Sequence, residues 1–140
     1  MKNVISLGVG EPDFATPWHV CDEVYNSLRH GDTHYTSNAG TPELRQEISA
    51  LLARLYGVRY APEKEVLVTV GVSEAIDLAI RTVISPGDEV LIPDPSFVAY
   101  SACVKLAGGT PVLAPMHEAD DFKLRADTVR SLLTDRTRAI

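Results

Sequence analysis

Between Val66 and Ile84 the chain reads Val-Leu-Val-Thr-Val, then Gly71-Val72-Ser73-Glu74-Ala75, then an apolar-striped run ending at Ile84. The pattern predicts a buried strand, a glycine-bearing turn and a helix that starts at once. A helix start leaves its first backbone N–H groups unpartnered and carries about half a positive charge, so an anion placed there gains hydrogen bonds and dipole stabilisation together. Gly71 allows close backbone approach, and Ser73 can cap the helix or offer its hydroxyl to a phosphate. The same turn also serves α/β proteins as a plain connection, and Glu74 and Asp77 in the first turn would repel an anion. The neighbouring segments decide between these readings.

A second candidate follows Glu89 to Pro93, a short apolar strand that leads into Asp94-Pro95-Ser96-Phe97. In open parallel sheets ligands lie beyond the carboxyl ends of the strands, and both strand ends point to one edge. An anion held at Gly71 to Ser73 and a ring stacked on Phe97 would suit a phosphorylated aromatic ligand. As a plain structural residue Phe97 would be a core or loop aromatic. Asp94 is expected to cap the helix that follows.

The elements that must position these residues alternate. Val4 to Val9 reads as a short strand or extended stretch running into Gly10-Glu11-Pro12-Asp13-Phe14. Thr16 and Pro17 open a helix with Val20, Val24 and Leu28 on one face and Gly31 as its stop. Thr41 and Pro42 open another, carrying Leu44, Ile48, Leu51, Leu52, Leu55 and Tyr56 and ending at Gly57. Pro62 to Glu65 is a linker. A helix of about Phe97 to Ala107, a strand from Thr110 to Ala114, a helix of about Asp127 to Leu133 and a new strand begun at Arg136 to Ile140 complete the order. The alternation predicts an α/β fold with a mostly parallel sheet covered by helices. The last strand has run for only two or three residues, against the ~5 to 6 of a buried strand, so the chain is expected to be cut short and the fold incomplete. Residues 1–40 are assigned to an N-terminal segment and loop, and 41–140 to the first part of a larger ligand-binding domain.

Composition narrows the function. A chain of 140 residues with 45% hydrophobic content can bury one core, and a net charge of −6 leaves no basic stripe for nucleic acid. No apolar run approaches the ~20 residues of a membrane span, and Met1-Lys2-Asn3 does not open a signal peptide. Cys21 and Cys103 have no zinc or CxxC spacing and read as core thiols of a cytoplasmic protein. The histidines at 19, 30, 34 and 117 form no metal-ligand spacing.

Taken together, Ile5-Ser6-Leu7-Gly8-Val9-Gly10-Glu11-Pro12-Asp13-Phe14, His34 to Arg45, Val68 to Ala75, Pro86 to Val90 and Asp94 to Tyr100 occur in an order that resembles the opening third of a pyridoxal-phosphate-dependent aminotransferase, fold type I, class I/II. The resemblance covers the whole chain. It implies that Gly71, Val72 and Ser73 form the loop whose N–H groups hold the phosphate of pyridoxal 5'-phosphate, and that Phe97 stacks on the pyridine ring. Tyr35 matches a tyrosine that reaches the cofactor phosphate of the neighbouring subunit, which implies a homodimer. Gly10 matches a backbone contact to the substrate carboxylate. The implied reaction is transfer of an amino group between an amino acid and a 2-oxo acid.

Such chemistry needs a lysine that forms a Schiff base with the cofactor aldehyde. Lys2 is at the terminus, and Lys64 lies seven residues before Gly71, roughly 23 Å along an extended strand. Lys105 lies eight residues along a helix from Phe97, about 12 Å down its axis, and Lys123 follows an acidic loop. None matches the family's lysine, so no catalytic residue is assigned and the 140-residue chain alone is expected to be inactive. The family's arginines for phosphate and carboxylate, its Asn-Pro motif and its ring-nitrogen Asp also have no match. A stand-alone phosphate-binding or dimerisation module, or a lyase or synthase of the same fold, is the alternative.

Overall fold

The computed structural model describes residues 4–5 and 8–140, which divide into two compact units, 1–37 and 38–140. The first unit holds helix α1, Trp18–Arg29, whose free N terminus is met by the carbonyl of Pro17 rather than by a side chain. Thr16 is therefore not the cap: its carbonyl accepts from the Cys21 thiol at 3.8 Å. Val20, Val24 and Leu28 do share a face, but all three are exposed, and Cys21 is exposed as well. The expectation of a buried Cys21 fails because no described element covers that side of α1. Ser6 and Leu7 of the predicted first strand lie outside the described residues, and Val4, Ile5 and Val9 are irregular.

The second unit begins with α2, Pro42–Tyr56, whose ends follow the local chemistry. The Thr41 hydroxyl accepts from Leu44 N–H at 3.4 Å, Pro42 fills the first position, and Gly57 closes the helix at φ 70°. Its buried residue is a cation: Arg45 donates to the carbonyls of Pro62 and Glu63 at 3.1 and 3.4 Å and so pins α3, Pro62–Glu65, to α2. That short helix replaces the predicted linker. The Glu65 carboxylate accepts from Ala61 N–H at 2.7 Å and holds its first turn.

Residues 66–70 are extended and have no strand partner among the described residues, contrary to the predicted buried strand. Val68 N–H reaches Ala39 O at 3.0 Å, yet Leu67 is exposed and Val70 is 91% exposed. Local sequence sets the extended backbone, whereas a ladder needs a neighbouring strand. Gly40 is required beside this stretch, since its φ is +92° and a Cβ there would fall 2.7 Å from Val68 Cβ.

After α4, Gly71–Val83, the sheet is built from β1, Glu89–Asp94, then α5, Ala99–Leu106, then β2, Thr110–Pro115. A 3-10 turn at Glu118–Asp120, α6 at Ala126–Leu132 and β3 at Thr137–Ala139 follow. The order is β2-β1-β3 and both pairings are parallel, with Glu89 opposite Thr110 on one side and Thr137 on the other. The fold is α/β with a parallel sheet and packed helices, as the alternation predicts. Its core is Ile84, Val90, Ile92 and Val104, with Ile80 and Ala139 against them. Cys103 is buried, as expected of a core thiol. Among the described residues no helix is long and apolar enough to cross a membrane, and no cluster of His, Cys, Asp and Glu is placed to hold a metal.

Candidate functional site

Chain direction places the two candidate segments at one edge. Helix α4 leads into β1 through residues 84–88, a link closed by Ser85 N–H donating to Asp88 Oδ2 at 2.9 Å. The 13 residues of α4 and the 6 of β1 each span about 20 Å. Ile80 packs on the core of Val90 and Ile92, and Ile76 and Ile80 line one trough with Val90 to Pro93, so α4 lies back along β1 and its N terminus is assigned to the carboxyl end of that strand. The strand order also reverses at β1, since the chain passes from β1 to β2 on one side and returns to β3 on the other. The crevice beyond such a strand's carboxyl end is where open sheets bind ligands.

The turn before α4 is tied locally. Gly71 N–H donates to Thr69 O at 2.9 Å, and the Thr69 hydroxyl donates to Gly71 O at 2.9 Å. Val70 N–H donates to the Glu74 carboxylate. These bonds accompany a φ of +77° at Gly71, a conformation that L side chains rarely adopt. Ser73 does not cap the helix, which has no side-chain cap. Val72 N–H, Ser73 N–H and the Ser73 hydroxyl have no partner among the described residues and sit exposed in the first turn. They form a donor set of the kind that phosphate oxygens take. Glu74 carries charge close by, but its carboxylate is engaged on Val70.

Phe97 leaves β1 just before α5 and is 53% exposed. Its ring meets Tyr100 edge-on, with centroids 5.7 Å apart and planes at 78°. An edge contact of this kind fixes the ring's tilt while a face stays open for a flat ligand. Tyr100, one helical turn on, was not among the candidates; the i, i+3 spacing of two aromatics was the available signal. Thr69 was missed too, because its role is a bond to backbone and not to ligand. Asp94 does not cap α5, whose N-cap position is Val98 with no side-chain cap. Asp94 instead ends β1, where its carbonyl accepts from Met116 N–H at 2.8 Å.

Ile76 and Ile80 of α4 and Tyr100 of α5 line one trough of about 480 Å³ with β1, so both helices border the same cavity. Gly71, Val72, Ser73 and Phe97 thus share an edge of the 38–140 unit. Tyr35 and Gly10 belong to the 1–37 unit. The Tyr35 ring is fully exposed, and Gly10 is exposed with nothing within 4 Å of a Cβ built on it. Lys64 lies in α3 and Lys105 in the last turn of α5, while Lys123 pairs with Asp121 at 2.9 Å. None of these three is part of the edge that carries Gly71 and Phe97.

Residues 2–140 match the family described as aminotransferase class I and II. The chain is 43% identical over 140 residues to an aspartate aminotransferase of Pyrococcus abyssi, covering all of this chain and 36% of that protein. It is 39% identical over 140 residues to aromatic-amino-acid aminotransferase 2 of Thermococcus litoralis, with the same coverage. The crystal structure of an aromatic aminotransferase from Pyrococcus horikoshii superposes with a TM-score of 0.89 at 42% identity, over 98% of this chain and 36% of that one. The chain thus spans about a third of the length of the relatives it matches. The match runs over nearly every residue, in sequence and in fold: the chain belongs to the class I and II aminotransferase family.

Proposed function

We propose that this chain supplies the phosphate- and ring-holding part of a pyridoxal-phosphate-dependent aminotransferase, which moves an amino group between an amino acid and a 2-oxo acid. The observation that carries the reading is Gly71 at φ +77°, which starts a helix whose Val72 and Ser73 N–H groups are free on the edge that also bears Phe97. The family is pyridoxal-phosphate-dependent, and the donors present fit that group. Two backbone N–H groups and a hydroxyl suit a phosphate, and an exposed aromatic face suits a pyridine ring. When bound, the cofactor supplies an electron sink for chemistry at the amino-acid α-carbon.

In this reading Gly71 gives the turn its shape, Val72 and Ser73 donate to the phosphate, and Phe97 orients the ring. Tyr35 reaches the phosphate held by a second copy, which makes the working unit a homodimer. Gly10 offers its backbone to the substrate carboxylate. The unit 41–140 is the first part of the cofactor-binding domain, and 1–40 contributes to the substrate and inter-subunit site. The protein acts in amino-acid biosynthesis in the cytoplasm.

Phe97→Leu separates ring-holding from phosphate-holding. Its affinity for pyridoxal phosphate is expected to fall about five-fold, the loss of roughly 1 kcal/mol of aromatic stacking. Affinity for inorganic phosphate should not change, and equal losses for both ligands would assign Phe97 to packing alone. A second expectation concerns the lysines. Borohydride added to the 140-residue chain with pyridoxal phosphate should fix no stoichiometric label at any one lysine, as read by peptide mass spectrometry. Stoichiometric labelling of Lys64 or Lys105 would assign the chain a complete reactive site of its own.

A further inference from the structure

Two acids, Glu74 and Asp77, stand near the start of α4, where charge of that sign opposes an anion, and the structure engages both. Asp77 turns along the helix onto Arg81, whose Nε lies 2.7 Å from its carboxylate. Glu74 turns the other way: its carboxylate accepts from Val70 N–H, one residue before the helix begins. That bond closes a ring from residue 70 to residue 74. Gly71, Val72 and Ser73 all lie inside it.

The backbone explains why this N–H needs a side-chain partner. Val70 has φ −77° and ψ 76°, the centre of an inverse γ-turn that Gly71 N–H closes on Thr69 O at 2.9 Å. The turn consumes the Gly71 N–H and does not use that of Val70. A capping box resolves a helix start with two reciprocal bonds: an acid reaches back to the N-cap N–H, and an N-cap hydroxyl takes the N–H three residues on. Only the first half is present here. Val70 is the N-cap and has no side-chain oxygen, so Ser73 N–H, the partner of the missing half, stays available beside Val72 N–H.

We propose that Glu74 is a positioning residue of the phosphate turn: it clamps Val70 at the foot of Gly71 and so aims the Val72 and Ser73 N–H groups at an anion, which supplies the acceptor that Val70 lacks. The inference rests on the reading of this turn as a phosphate site. Glu74 acts through the backbone and not on the ligand. Two effects of its side chain oppose each other: its charge in the first turn disfavours a phosphate, and its bond to Val70 favours one by keeping the donors aligned. Glutamine keeps the carbonyl acceptor and sheds the charge, whereas alanine sheds both. The difference between those two variants therefore isolates the bond.

Titration of the full chain and of both variants with inorganic phosphate, followed through the Val72 and Ser73 amides, tests this. Glu74→Gln should bind phosphate at least as tightly as the wild type, and Glu74→Ala about five-fold more weakly than Glu74→Gln, the equivalent of one neutral hydrogen bond. Exchange of the Val70 amide should be as slow in Glu74→Gln as in the wild type and faster in Glu74→Ala. Pyridoxal, which carries no phosphate, should bind the two variants alike. Equal phosphate affinities in the two variants, or an equal loss for phosphate and pyridoxal in Glu74→Ala, would overturn the positioning role. Wild-type Val72 and Ser73 amides that ignore phosphate would instead remove the phosphate reading itself, and the role of Glu74 with it.

Discussion

Leu91→Ala should cost about 2–5 kcal/mol, read as a lowered denaturant midpoint at unchanged slope. Leu91 is 1% exposed in the centre of β1, the strand with a neighbour on both sides. Removing its side chain leaves a hole that the sheet cannot close, because β2 is held to β1 by six registered pairs, Leu91 opposite Val112. The effect is large relative to the reserve. Among the described residues the buried apolar set is small, namely Ile84, Val90, Leu91, Ile92, Cys103, Val104 and Ala114. A domain of this size has a net stability of about 5–15 kcal/mol, so one such cavity removes a substantial share. Leu113→Ala is the matched control: at 51% exposure it should cost less than about 1 kcal/mol. Equal midpoints for the two variants would show that β1 is not the centre of the core.

Gly71→Val combines a stability effect with a binding effect. Holding an L residue at φ +77° costs about 1–2 kcal/mol, and a β-branched side chain is among the worst placed there. The cost is conformational and not a clash, since a Cβ on Gly71 would meet nothing within 4 Å. To relieve it, the turn must rotate and carry the Val72 and Ser73 N–H groups with it. Each hydrogen bond to a charged phosphate contributes about 1.5–3 kcal/mol, so misaiming one should weaken phosphate binding ten-fold or more. Gly71→Asn, whose side chain tolerates the left-handed region, should lose less on both counts. Wild-type affinity in the valine variant would remove the turn from the site.

Features written in adjacent residues were legible in the sequence, and those that depend on distant partners were not. Thr41, Pro42 and Gly57 bound α2 where their local chemistry places them, and Gly71 marks the turn before α4. The parallel sheet followed from the alternation of elements. By contrast, residues 66–70 have strand composition but no strand partner among the described residues, and Thr16 and Asp94 have capping chemistry but do not cap the helices that follow them. Cys21 has an apolar helix face around it and no described element on top. Arg45 and Glu89 are buried charges whose partners lie 17 to 47 residues away, and nothing in their local sequence announces that burial. For the site, residue types and order pointed to phosphate and ring. The turn's own bonds, from Thr69 and Glu74, required the folded backbone.

The central claim is that the turn at Gly71 to Ser73 holds the phosphate of pyridoxal phosphate. Amide resonances of the full chain, labelled with nitrogen-15 and titrated with pyridoxal phosphate, inorganic phosphate and pyridoxal, test it most directly. The Val72 and Ser73 amides should shift along saturable curves with both phosphate-bearing ligands and stay in place with pyridoxal. Shifts of equal size with pyridoxal, or none at Val72 and Ser73 with either phosphate, would contradict it.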